Sequence, residues 1–331
     1  MPLPVDIRLH RPDTLDQALG LLRRFEDSAV PYAGGTELIP VLKLGMSGAR
    51  RLVDVRRIPE LNGIGAVGGG AVLGGTVPGD TVPGGAAPGG AASGGVPGSP
   101  LRLGATVTHR TVLRAPAVLG QWPELAAMER SIGNIRVQAA GTLGGNLCFA
   151  DPQSDPATFL TAAGASVACL SADRPPRYLP VEEFITGPYG NALTAGEELL
   201  GWIELPPRPP GTALAHRKVT FGERPEATCT VLLECGSLES GSLESGDGRI
   251  SAARVAIGSV TPVPVLSGRS AELLGLTPAE VVRSAGAVAD AVAGGLAGEL
   301  LHESRTRFMR AVTRRLVADT VAEAGSALAD A

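Results

Sequence analysis

The chain has 331 residues, of which 44% are hydrophobic, 19% charged and only 3% aromatic, and its net charge is −4. That length is enough for two or three domains with cores of their own, and the mild acidity argues against nucleic acid as a partner. No apolar stretch reaches the roughly 18 residues that a membrane-spanning helix needs. The start, Met1-Pro2-Leu3-Pro4-Val5-Asp6, has neither the basic residues nor the apolar run of a secretory leader, so the expected setting is the cytoplasm.

Along the chain, Thr14-Leu15-Asp16-Gln17 reads as a capping box opening a helix whose apolar stripe is Ala18, Leu22 and Phe25. A strand at Val30-Pro31-Tyr32 leads into a first glycine loop, Tyr32-Ala33-Gly34-Gly35-Thr36-Glu37-Leu38. A helix follows at 39–44 with Pro40 in its first turn, then a strand at 52–55 and a helical turn at 58–61. Residues 65–100 differ in kind: they are nearly all Gly, Ala, Pro, Val, Ser and Thr, with Asp80 the single charge. Such a segment has little to bury and much backbone entropy to lose, so it is expected to be a disordered insertion at a hairpin tip, the alternative being a partner-binding arm.

A strand resumes at 101–107, and a helix at 125–132 delivers the chain to a second glycine loop. This is Ala140-Gly141-Thr142-Leu143-Gly144-Gly145-Asn146-Leu147, followed by Ala150-Asp151-Pro152-Gln153-Ser154-Asp155. Next come a helix at 157–163, a buried strand at 166–170 and a strand at 198–205 ended by Pro206-Pro207. An antiparallel set is expected at 213–219, 228–235 and 253–258. The duplicated Gly-Ser-Leu-Glu-Ser at 236–245 reads as a tolerated loop expansion between two of those strands. Helices at 278–293 and 302–324 close the chain, the latter with Phe308, Val312 and Leu316 as its stripe.

Chemistry concentrates in the two glycine loops. Without a Cβ, consecutive peptide N–H groups can approach phosphate oxygens closely, and each loop sets a hydroxyl, Thr36 or Thr142, beside them. Two such loops on one ligand suggest a dinucleotide cofactor. Asn146 can donate and accept, whereas an ionised Asp155 only accepts and suits a ribose hydroxyl. Neither loop has the third glycine or the downstream acid of the Rossmann fingerprint. Cys148, Cys169, Cys229 and Cys235 are widely spaced and read as buried free thiols. Neither they nor His10, His109, His216 and His302 show metal-ligand spacing, so no metal site is expected, and no catalytic triad motif is present.

Ala33-Gly34-Gly35-Thr36-Glu37-Leu38, together with Thr142-Leu143-Gly144-Gly145-Asn146 and Asp155, resembles the two FAD-binding loops of the flavoprotein (medium) subunits of molybdenum hydroxylases. That family includes xanthine dehydrogenases, aerobic CO dehydrogenases and 4-hydroxybenzoyl-CoA reductases. Leu52-Val53-Asp54-Val55 with Ile58-Pro59-Glu60-Leu61 fits the family's stretch after the first loop, and Ala256-Ile257-Gly258-Ser259-Val260 with Pro262 and Pro264 fits its C-terminal domain. The resemblance spans nearly the whole chain except 65–100.

It implies an α+β fold: a two-part FAD-binding domain of the PCMH/VAO-like type at 1–206 (parts 1–56 and 57–175), then a C-terminal antiparallel sheet with helices at 213–327. By that likeness Pro31, Tyr32, Ala33, Gly34, Gly35, Thr36, Glu37 and Leu38 wrap the FAD pyrophosphate from one side, and Thr142, Leu143, Gly144, Gly145 and Asn146 from the other. Asp155 would hold the adenosine ribose or a neighbouring polar group, Leu200 would line the cofactor, and Lys218 would sit near the flavin ring, with a solvated strand lysine as its alternative.

The chain departs from the family at Gly222-Glu223-Arg224-Pro225-Glu226-Ala227, where members often carry Arg-Arg-x-x-Asp-x-Ala. Its insertion lacks the cysteines with which 4-hydroxybenzoyl-CoA reductase flavoproteins hold an extra cluster. Tyr189 reads as a turn residue or as one that approaches the flavin. No catalytic residue of this chain is required, since the cofactor carries the chemistry. The resemblance implies a molybdopterin-binding large subunit and a 2Fe–2S small subunit as partners, in a heterotrimer or its dimer, with NAD+ or another acceptor taking the electrons. A stand-alone FAD oxidoreductase and a non-catalytic binding module are the rival readings.

Overall fold

The computed structural model describes residues 6–66, 98–222, 224–236, 248–296, 300 and 306–330. Two compact units emerge. One comprises Met1–Phe149, Ser166–Phe184 and Gly190–Pro207; the other comprises Ala150–Ala165, Ile185–Tyr189 and Arg208–Ala331. Two segments before the expected division near 206 fall in the second unit: 185–189, and 150–165, whose helix packs on that unit's sheet.

In the first unit, β1 (Arg8–His10), α1 (Leu15–Phe25), β2 (Ala29–Tyr32), α2 (Leu38–Lys43) and β3 (Arg51–Asp54) build a parallel three-stranded sheet, ordered β1-β3-β2, with its helices. At the head of α1 the Thr14 hydroxyl accepts the Gln17 N–H, but Gln17 Oε1 takes the Asp13 N–H, one residue before the expected partner. The buried face is Ala18, Leu19 and Leu22. Phe25, expected on the stripe, ends the helix half-buried, with the Arg51 guanidinium 4.2 Å from its ring centroid.

An antiparallel sheet follows, ordered β4-β5-β10-β6-β7, from β4 (Ile64–Ala66), β5 (Leu101–Gly104), β6 (Ser166–Leu170), β7 (Arg177–Pro180) and β10 (Leu199–Leu205). β4 and β5 pair directly, Ile64 opposite Leu103, so the insertion joins neighbouring strands; of the span 65–100 expected to be disordered, Gly65 and Ala66 are instead paired in β4, and 67–97 lie outside the described residues. Short helices α3 (His109–Val112), α4 (Pro116–Gln121), α5 (Pro123–Arg130), α6 (Ile135–Ala140), α7 (Leu143–Phe149) and α9 (Val181–Phe184) and the two-residue β9 (Gly190–Asn191) complete the unit. Arg177 clamps Glu198 with bonds of 2.7 and 3.1 Å, and with the Thr194 N–H it holds that carboxyl down at about 2 against the opposing effect of burial.

In the second unit, β11 (Thr212–Phe221), β12 (Arg224–Cys235), β13 (Ile250–Gly258) and β14 (Val265–Leu266) form an antiparallel sheet in chain order. On it pack α10 (Pro278–Gly295), α11 (Thr306–Ala329) and, earlier in sequence, α8 (Asp155–Ala162); the short β8 is Ile185–Gly187. Arg254 of β13 donates to the Thr161 and Ala162 carbonyls at the end of α8, satisfying acceptors a helix C-terminus leaves open. The duplication at 236–245 lies outside the described residues apart from Gly236, as does the expected helix start at 302. The buried face of α11 is Met309, Thr313, Leu316, Val317, Thr320, Val321 and Ala324. Phe308, expected in the stripe, is exposed and meets the exposed Phe221 at 6.2 Å between ring centroids.

Candidate functional site

The first loop leaves β2 at Tyr32. Gly35 adopts φ +70°, a left-handed conformation that glycine takes without strain, and the Ile39 N–H returns to the Gly35 carbonyl at 3.0 Å to start α2. The Tyr32 ring lies on this turn: a Cβ at position 35 would fall 2.6 Å from its Cε2. Arg56 stacks over the other side of that ring, 5.2 Å from the centroid, and Asp54 holds Arg56 through bonds of 2.9 and 2.7 Å. Burial pushes the Asp54 carboxyl up, but the bonds from Arg56 outweigh it and keep it below its ordinary value. Leu38 anchors the far end on Leu42, Ala49 and Leu52. Pro31 is exposed, and Ala33 and Glu37 are half-buried. The amides of Gly34, Gly35 and Thr36 donate to no protein acceptor among the described residues.

The second loop is built differently. Residues 141–144 lie along 105–109 like an added strand: Thr142 pairs with Thr108, the His109 N–H donates to the Gly141 carbonyl at 3.1 Å, and Leu143 and Gly144 donate to Val107 and Ala105 at 3.0 Å each. Ala105 in turn donates to the Gly201 carbonyl at 2.9 Å, inside the bulge between Leu200 and Trp202, where Leu200 is buried. Thr142 then turns the chain into α7, its hydroxyl accepting from Gly145 at 3.1 Å and its carbonyl from Asn146 at 2.9 Å. Gly144 is glycine for packing, since a Cβ there would be 2.5 Å from the Ala105 Cβ. Gly145 is exposed. The two loops touch: a Cβ on Gly34 would run into the Ala140 carbonyl and come within 2.7 Å of the Gly141 Cα.

In the second unit Asp155 opens α8, buried, with Ser154 as the helix cap. Lys218 Nζ bonds Asp155 Oδ2 at 2.6 Å, and His216 Nε2 stands 3.7 Å from Oδ1. His216 Nδ1 lies 2.8 Å from the Thr230 hydroxyl. Burial pushes the Asp155 carboxyl up, yet His216 and Lys218 together hold it below its ordinary value. The expected roles are the adenosine ribose or a neighbouring polar group for Asp155, and the flavin ring or a solvated strand position for Lys218; the structure bonds the two side chains to each other. His216 was not among the expected residues, although its place two positions before Lys218 on a strand puts both on one face. In the departing segment, Arg224 bonds Asp151 at 2.5 Å and the Pro225 carbonyl accepts from Gln153 at 3.0 Å, so 224–225 and 151–153 hold each other. Tyr189 is an exposed turn residue with φ 59°. All four cysteines are free; Cys229 is fully buried, which pushes its thiol up to about 12.

Among the described residues no three His, Cys, Asp or Glu side chains gather as a metal would require, and no helix is long and apolar enough to cross a membrane. Three consecutive amides without acceptors, beside an exposed glycine on a hydroxyl-capped turn, fit a pyrophosphate. Residues 5–82 and 96–208 match the family described as the FAD binding domain in molybdopterin dehydrogenase. The chain belongs to this family. FAD is therefore its cofactor, and the chain is a flavoprotein of the molybdenum hydroxylase group with the expected α+β architecture.

Among its relatives, the nicotine 6-hydroxylase medium subunit of Paenarthrobacter nicotinovorans is 26% identical over 98% of this chain and 99% of its own length. The caffeine dehydrogenase subunit beta of Pseudomonas sp. (strain CBB1) is 28% identical over 77% of this chain and 73% of its own. A solved structure of the carbon monoxide dehydrogenase from Hydrogenophaga pseudoflava superposes with a TM-score of 0.78 at 25% identity, covering 99% of both chains. When bound, FAD supplies the redox chemistry of such a subunit, and the polypeptide contributes donors, walls and orientation.

Proposed function

We propose that this chain is the electron-transfer subunit of a molybdopterin-dependent hydroxylase. In this reading a large partner subunit with molybdopterin oxidises the substrate, a small partner subunit relays electrons through 2Fe–2S clusters, and the FAD held here passes them to NAD+ or another acceptor. The assembly is a heterotrimer or its dimer. The observation that carries the reading is the row of unclaimed amides at Gly34, Gly35 and Thr36, with Gly145 exposed on the touching second loop. Pro31, Tyr32, Ala33, Gly34, Gly35, Thr36, Glu37 and Leu38 contact FAD from one side, and Thr142, Leu143, Gly144, Gly145 and Asn146 from the other. Leu200 lines the cofactor. Asp155 and Lys218 serve as one bonded polar pair rather than as two separate contacts.

Purification of the natural complex tests this. The expected result is visible flavin absorbance with one larger molybdenum-containing and one smaller iron–sulfur partner, and reduction of NAD+ or of an artificial acceptor on substrate addition. Gly145→Leu, whose Cβ would lie 2.6 Å from the Thr142 hydroxyl, should lose the flavin. A chain that stays colourless after incubation with FAD, or a flavin-bearing chain that purifies with no partner, would overturn the proposal.

A further inference from the structure

Beneath the second loop lies a buried histidine–carboxyl pair that the cofactor reading does not use. His109 opens α3 and Glu129 lies on α5, both in the first unit. Their side chains are 4% and 0% exposed, and His109 Nδ1 stands 2.6 Å from Glu129 Oε2. Glu129 Oε1 has no hydrogen-bond partner among the described residues, so a fully buried carboxyl group rests on the imidazole alone. Burying such a group is costly unless something compensates it, which makes it a feature to explain rather than ordinary core filling.

The histidine is also in contact with the loop. Its main-chain N–H donates to the Gly141 carbonyl at 3.1 Å. Its ring forms the floor under the same residue: a Cβ at position 141 would lie 3.0 Å from the His109 Cδ2 and 3.3 Å from its Nε2. The next residue, Thr142, supplies both the hydroxyl and the carbonyl that turn the chain into Gly145 and Asn146. On its other side Gly141 meets Gly34 of the first loop. The imidazole therefore touches the point where the two loops meet, and the Glu129 bond fixes the plane of that imidazole.

We propose that His109 and Glu129 are positioning residues for the cofactor: the bond between them locks the ring against Gly141 and so sets the presentation of Thr142–Asn146 and its contact with the first loop. The inference rests on the reading that these loops hold FAD. Neither side chain is a catalytic residue, and the effect is transmitted through the backbone at 141 and 142.

The test uses the full chain, stripped of flavin and titrated with FAD. His109→Leu with Glu129→Met removes both polar side chains at similar volume, and replacing such a buried pair together with apolar residues is often neutral for folding. Apo thermal unfolding is expected to stay close to wild type. The FAD dissociation constant should rise by about 10-fold or more, as for other lost supports of a binding shell, and the visible circular dichroism of the bound flavin should change. Glu129→Gln keeps an acceptor for the Nδ1 proton and should bring affinity back to within about 3-fold of wild type, since orientation is retained.

A folded double variant that binds FAD with wild-type affinity and dichroism overturns the proposal. So does a Glu129→Gln variant as weak as the double one, because charge and not orientation would then be at work. Should the double variant fail to fold, Glu129→Asp decides. Its shorter reach must tilt the ring and weaken FAD binding by about 5-fold or more, and unchanged affinity there overturns the proposal equally. Wild-type protein that bound FAD without protecting the Gly34, Gly35 and Thr36 amides from hydrogen exchange would instead undo the loop reading on which the inference stands.

Discussion

The two glycine loops look alike in sequence and are built on opposite plans. In the first, Gly34, Gly35 and Thr36 keep their amides unclaimed, and the turn is steadied by side chains stacked from Asp54 through Arg56 to Tyr32. In the second, Leu143, Gly144, Gly145 and Asn146 have their amides taken by Val107, Ala105 and Thr142. One loop offers its backbone outward; the other uses its backbone to bind itself to the protein. A run of glycines thus has two distinct physical meanings, donors that a ligand can reach or chains that approach closely, and here the two meanings lie in contact at Gly34 and Gly141.

That contrast breaks most visibly at the glycine that is structural. Gly144→Ala places a methyl against both the side chain and the backbone of Ala105, and overpacking of this kind costs about 3 kcal/mol. The apo protein should lose that much in denaturant unfolding before any cofactor is added. Gly35→Ala is milder. Its φ of +70° and the nearby Tyr32 ring penalise a methyl, and about 1.5 kcal/mol is expected, with a further loss of FAD affinity. If Gly144→Ala left apo stability untouched and lost only FAD, the distinction between the loops would be wrong.

Much of this molecule was legible in its sequence because local rules and tertiary packing agree. The first glycine loop follows a strand as expected and the antiparallel set after 212 falls near its expected bounds, whereas a further helix, α6, stands between the expected 125–132 helix and the second loop. The failures share one cause, which is that periodicity gives a face without saying what covers it. Phe25 and Phe308 stand on plausible stripes, yet the first is covered by Arg24, Arg51 and His10 and the second faces the exposed Phe221. Leu19 and Met309 take the buried places instead. The site shows the same limit. Lys218 and Asp155 are 63 positions apart, and no sequence rule pairs them. The hydrogen-bond state of the Leu143 and Gly144 amides depends on a neighbouring segment, Val107 and Ala105, which carries no mark of its role.

The steadying of the first loop by Asp54 carries a pH signature that the second loop's backbone bonds lack. The folded Asp54 carboxyl sits below its ordinary value, so its contribution is complete above the unfolded carboxyl range near about 4 and disappears as pH falls through the lowered folded value. Arg56 is 46% exposed, which screens the pair. Asp54→Asn should therefore cost only about 1 kcal/mol at pH 7. The difference from wild type should shrink to nothing on acidification below about pH 4. A difference that persisted unchanged in acid would mean the carboxylate charge plays no part in holding Arg56 over Tyr32.

The smallest perturbation gives the sharpest comparison, because it changes no residue at all. In flavin-free protein the amides of Gly34, Gly35 and Thr36, lacking acceptors, should exchange with solvent far faster than those of Leu143, Gly144, Gly145 and Asn146. Addition of FAD should slow the first set by about 10-fold or more while moving the second set little, since protection arises from a new acceptor or from exclusion of water and the second set already has its acceptors. Equal gains in both loops would show that the second loop is not preformed and that its bonds to 105–107 tighten only around the cofactor. Gains confined to 143–146 would reverse the roles, with Gly34–Thr36 a bare turn and the pyrophosphate held elsewhere. The predicted asymmetry follows from a single physical rule: an amide already bonded to the protein has little left to give a phosphate.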